Sequence, residues 1–218
     1  VVPVNGDDLV FPDSPTNRTS NNNIAGLSVA SVTVTTMNSG AAYDFIGNGI
    51  TLTGPITFSN PGVGTGSGDP NWAIPITLGA PITMTSDGRV TPFNATIGLG
   101  ANSLTIAGGG DLWINGIVSG AGGITMNNSA LMLAPGNIRV TAGGNILLGG
   151  VITTNGRVMI TSSAGSILDN GDVYPDVVGG RVQISAVNGG IGTGANSLEM
   201  GATNIAASAG SGGIFLGV

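Results

Sequence analysis

The sequence predicts an all-β solenoid, and three observations carry that expectation. Apolar residues alternate with polar ones in short runs rich in Ile, Val, Leu and Thr. That is the period of strands, not of helices. Asn-Gly and Gly-Gly dipeptides break the runs, at Asn5, Asn48, Asn115, Asn155, Asn170 and Asn188, and at doublets from Gly108 to Gly213. Gly and Asn accept the backbone conformations of tight bends. Finally, Gly-Arg-Val recurs at 88–90, 156–158 and 180–182, the last two extending to GRVMI and GRVQI. The offset between those two copies falls in the range that marks stacked repeats.

The elements follow in chain order. Leu27–Val34 (LSVASVTV) is the longest alternating run. Ile50–Leu52 and Ile56–Phe58 are triplets parted by Thr53–Pro55, and Ile74–Leu78 and Ile82–Met84 are parted by Gly79–Pro81. Ile97–Leu99 and Leu104–Ile106 flank Gly100–Ser103. Leu112–Ile114, Ile124–Met126, Leu131–Leu133, Ile138–Val140, Ile146–Leu148, Val158–Ile160 and Val182–Ile184 continue the pattern. An antiparallel sandwich has longer strands, with turns about every 8–12 residues. Triplets joined by such corners read instead as the faces of a solenoid. At about 22 residues per coil the chain makes on the order of ten coils. Stacked about 4.8 Å apart, they form a rod roughly 45–50 Å long.

Residues 1–218 read as one continuous solenoid. Residues 1–70 are its loop-rich N-terminal coils and 71–218 its regular ones. Asn17–Asn23 (NRTSNNN) and Asn60–Asp69 (NPGVGTGSGD) are expected to protrude as loops.

Composition excludes much chemistry. Of 218 residues, 40 are Gly and 7% are charged, against about 7% Gly and about 25% charged in ordinary domains. The chain has no His, Cys or Lys. Ser-His-Asp triads, His metal sites, thiol nucleophiles, disulfides, Schiff bases and P-loops are therefore absent. The net charge of −6 argues against nucleic acid as a partner. No apolar run reaches the roughly 18 residues of a membrane helix, so membrane insertion is not expected.

Ile74–Gly136 contains IPITLGAPITM and then NSLTIAGGGDLWINGIVSGAGGITMNNSALMLAPGN. This stretch resembles the autotransporter-associated β-strand repeat, and VSGAGGIT (118–125) is its best-matching rung. Met126–Asn128 stands where that repeat has Lys-x-Gly. GGNILLGGVITTNGRVMITSSAGSILD and AVNGGIGTGANSLEMGATNIAASAGSGGIFLG are similar to filamentous-haemagglutinin-like repeats of large bacterial surface proteins. Asp7–Phe58 is similar to the opening rungs of that class. The resemblance implies a right-handed parallel β-helix at the bacterial cell surface, with no catalytic residues. The hand agrees with the general rule for parallel crossovers.

The densest acid cluster is Asp169, Asp172 and Asp176, in LDNGDVYPD. Asp, Asn and Gly are the ordinary residues of a solvated turn. Loop oxygens of this kind also bind Ca²⁺, although the spacing is neither the EF-hand loop nor the nonapeptide Ca²⁺ repeat. No other cofactor is expected. Arg157 and Arg181 flank the cluster one coil apart. With its Asp residues they form the only constellation that mimics the sites of polysaccharide-cleaving β-helices. The plainer reading has each Arg covering a coil corner. Trp113 alternates with Leu112 and Ile114 and is expected to face outward. Trp72 leads into a strand, and Tyr174 lies among the Asp residues. These aromatics read as scattered surface rings or ordinary packing before they read as a sugar platform. Asn at coil corners is expected to stack into hydrogen-bonded ladders. The sequons at Asn17, Asn94 and Asn127 read as chance matches.

Ile214–Leu216 forms an apolar strand with no capping segment after it. Uncapped coils are sheet edges. The expectation is a segment of a longer solenoid or head-to-tail self-association through terminal coils. The expected function is a non-enzymatic, extracellular structural or adhesive solenoid of a bacterial surface protein or filament. Its expected partners are other copies of itself, or host or biofilm glycans and proteins. The competing expectation is a polysaccharide-binding or polysaccharide-cleaving β-helix with an Asp/Arg groove.

Overall fold

A computed structural model describes residues 2–12, 17–35, 43–59, 71–87, 91–108, 111–114, 117–126, 131–134, 138–153, 156–171 and 175–217. Among these residues there is no helix, and the strands pair in parallel throughout. Through the middle of the chain each strand pairs with the one three further on. Ile97–Gly100 lies on Ile117–Gly120, Leu104–Ala107 on Ile124–Met126, and Asp111–Ile114 on Leu131–Ala134. Three parallel ladders result, and the chain is the β-solenoid its periodicity predicts.

The first ladder starts at the beginning of Ser28–Thr35 and ends in Leu198–Ala209. Its rungs Ile76, Ile97, Val118, Val140, Ile160 and Ile184 recur once per coil. The repeated Gly-Arg-Val falls in register, Arg157 on Arg181 and Val158 on Val182. The second ladder runs from Asp7–Phe11 to Ile167–Asp169. Single bridges, Ile167 to Ile191 and Ile191 to Ile214, carry it onward. The third runs from Thr19–Asn22 through Asp44–Gly47 and Asn71–Trp72 to Leu216–Gly217.

Period-2 alternation places the core. Ile97 and Leu99, Leu104 and Ile106, and Val158 and Ile160 point inward and are buried. Each such side chain contributes about 1.5–3 kcal/mol by leaving water. The N-terminal coils are filled by rings. Phe45, Trp72 and Phe93 are fully buried and follow one another up the third ladder, with centroids 4.7 and 5.9 Å apart. Trp72 is therefore core and not a surface ring, and its indole N–H donates to the Ile74 carbonyl at 2.7 Å. The side chain of Trp113, and Tyr174 altogether, lie outside the described residues.

Corners are built as the dipeptides foretell. A Cβ on Gly122 would collide with the Asn102 carbonyl oxygen. Only glycine lets coils approach so closely there. Asparagines join one coil to the next. Asn94 donates to Asn71 at 2.6 Å and Asn71 to Asp44 at 3.2 Å. Asn102 and Asn188 donate to the Leu78 and Ser163 carbonyls.

Two loop expectations need correction. Thr19–Asn22, within the polar stretch Asn17–Asn23, is a strand on Asp44–Gly47. Its polar side chains suit a half-buried outer rung, and Asn22 donates onward to the Asn48 carbonyl. The described ends of Asp169–Asp176 are not a solvated turn either, because both acids are buried. Asn60–Asp69 falls outside the described residues.

Candidate functional site

The corner that joins the second ladder to the third carries the acids. Asp169 closes the strand Ile167–Asp169, whose alternation turns Ile167 and Asp169 inward. The inward column below it is apolar: Ile106, then Met126, then Leu148. Leu148 pairs with Asp169, so a carboxylate takes the next place in a column of hydrophobic side chains. The Gly171 N–H donates to Asp169 Oδ1 at 2.8 Å, closing a turn in which Gly171 has φ of 88°. The chain returns at Asp176, whose carbonyl accepts from the Val151 N–H. Val177 then pairs with Val151 below and Met200 above. That register puts Asp176 over buried Gly150 and beneath Glu199. The Glu199 N–H donates to Asp176 Oδ2 at 2.8 Å.

Three carboxylates thus meet across two coils. Asp169, Asp176 and Glu199 each offer an oxygen within 4.8 Å of those of the other two. Asp176 is fully buried and Asp169 is 8% exposed. Asp169 Oδ2, Asp176 Oδ1 and Glu199 Oε2 are buried with no hydrogen-bond partner among the described residues. Loss of hydration, above all, pushes the Asp176 carboxyl up to about 8. The Glu199 N–H opposes the shift, while the Glu199 side chain and the charges of Asp169 and Glu199 add to it. Buried like charges demand neutralisation, by a shared proton or by a cation.

Of the sequence candidates, the structure brings Asp169 and Asp176 together. Asp172 lies outside the described residues. Sequence reasoning missed Glu199. Two signals point to it: it is the only Glu in the chain, and it follows Asp176 by one coil. Arg157 and Arg181 differ in setting from buried Asp169 and Asp176. They occupy exposed positions, and the Arg157 guanidinium bonds Gln183 on the neighbouring strand.

A concavity of about 540 Å³ opens at the N-terminal end of the core. Leu9, Phe11, Leu27, Phe45 and Trp72 line it, with Asp7 and Asp8 among its polar residues. It is a continuation of the apolar interior. Comparison with family models, curated proteins and solved structures gives no match to this chain.

Proposed function

We propose that this chain is a non-enzymatic structural or adhesive solenoid, displayed outside a bacterial cell as part of a surface protein or filament. The observation that supports the reading best is the continuity of the three ladders. Among the described residues they bury an apolar interior, interrupted by the buried acids at the Asp169 corner, and leave Thr, Ser and Asn on the outer side of the strands. Such an architecture resists extension and presents area, because its backbone hydrogen bonds run along the stacking axis. The resemblance to surface-protein repeats adds the bacterial exterior. Exposed Val2, Val4 and Val10 in the first described coil, and Ile205, Ile214 and Phe215 in the last, favour contact with further coils, of a second copy or of a longer chain.

The polysaccharide-cleaving alternative needs acids and arginines in one groove. Buried Asp169 and Asp176 against exposed Arg157 and Arg181 speak against it. The test has two parts. Antibody against the chain should label intact cells of the producing organism; label only after permeabilisation removes the surface assignment. Incubation with acidic and neutral polysaccharides should release no reducing ends; release abolished by Arg157→Ala would establish the enzyme instead.

A further inference from the structure

We propose that Asp169, Asp176 and Glu199 bind one Ca²⁺ ion, which staples two successive coils. The inference goes beyond the surface-rod reading and stands on geometry alone, so either can fail without the other. Ca²⁺ takes oxygen ligands at about 2.3–2.6 Å, so two ligands of one ion lie at most about 4.6–5.2 Å apart. The three carboxylate oxygens, all within 4.8 Å of one another, are close enough to share a single such sphere. The unpartnered oxygens supply the independent sign of a ligand. Asp169 Oδ2 and Asp176 Oδ1 belong to side chains at least nine-tenths buried, and together with Glu199 Oε2 they lack any donor among the described residues. A hydrogen bond already holds the other oxygen of each aspartate, from Gly171 to Asp169 and from Glu199 to Asp176. Those bonds aim the acids and leave one face of each for a cation. A hard, all-oxygen set suits Ca²⁺. Mg²⁺ needs shorter bonds and a near-ideal octahedron. An ion here would tie the end of the second ladder, at Asp169, and the start of a third-ladder strand, at Asp176, to Glu199 on the next coil.

The experiment is a titration of the whole chain with CaCl₂ after dialysis against EDTA, followed by calorimetry and by thermal unfolding. Half-saturation is expected at about 0.1–1 mM, the range of extracellular Ca²⁺ modules. The unfolding temperature should rise over that range, and rise less with MgCl₂ at equal ionic strength. Asp176→Asn and Glu199→Gln should each fold and lose the Ca²⁺ response. No heat and no shift in the folded wild type up to about 10 mM, tenfold above that range, would overturn the proposal. So would an equal response to Mg²⁺, or a wild-type response in both variants.

Discussion

Asp176 concentrates the electrostatic tension of the molecule in one residue. Its carboxyl is fully buried beneath Glu199 and beside Asp169, and burial pushes it up to about 8 from a free value of 3.8. The folded chain therefore holds a proton that the unfolded chain has released, over the window between those values. The stability this contributes is complete below about pH 4 and is lost as pH rises toward about 8. In EDTA, the unfolding temperature of the wild type should fall across that window, and Asp176→Asn should flatten the fall. At pH 7 in EDTA that variant should be more stable than wild type by on the order of 1–3 kcal/mol, since its neutral amide keeps the Glu199 N–H bond without the proton that Asp176 must take up on folding. A variant less stable than wild type at pH 7 would contradict the reading. Gly122 makes a steric counterpart. Its Cα faces the Asn102 carbonyl, and Gly122→Ala should cost about 1–3 kcal/mol or more, read by denaturant unfolding.

At the scale of elements, apolar ladders and polar ladders carry different weights. Ile160 is fully buried between Val140 and Ile184 in the middle of the first ladder. Ile160→Ala should cost about 2–5 kcal/mol, because the rungs on either side hold the cavity open. Asn71 sits between Asp44 and Asn94 in a ladder on the outer surface. Asn71→Ala should cost only about 0.5–1.5 kcal/mol, the net worth of an ordinary hydrogen bond. A larger loss at Asn71 than at Ile160, in the same denaturant series, would show that the outer ladders dominate. Alternation made the inward residues of these strands legible from the sequence. It did not foresee Thr19–Asn22 as a strand, because a wholly polar segment carries no apolar period. Pairing with Asp44–Gly47 makes that segment a strand, and pairing is non-local.

At the scale of the whole molecule, the described strands pair only with those of adjacent coils. Stability in such stacks is close to a sum of coil and interface contributions. Amide hydrogen exchange should be slowest in Ile138–Ala142 and Arg157–Ser162, which have paired strands on both sides. It should be fastest in Asp7–Phe11 and Leu216–Gly217, which pair on one side within the chain. Saturating Ca²⁺ should slow exchange around Ile167–Asp169 and the start of Leu198–Ala209 while leaving Asp7–Phe11 unchanged. Protection spread evenly along the rod would mean one global cooperative unit.

By itself, the sequence determined the class of fold, the spacing of its coils, the inward faces of most strands and the use of Gly and Asn at corners. All of these are written in short stretches of chain: an alternation of apolar and polar residues, a turn dipeptide, an echo of Gly-Arg-Val one coil further on. Tertiary structure alone decided which acids meet. Asp169 and Asp176 stand at the two ends of one turn, and Glu199 follows a full coil later. They converge because the register of Val177 on Met200 stacks one corner on the next. It also decided that Trp72 fills the core and that Asp169 replaces an apolar rung. Burial belongs to the stack of neighbouring coils, and no single strand carries it.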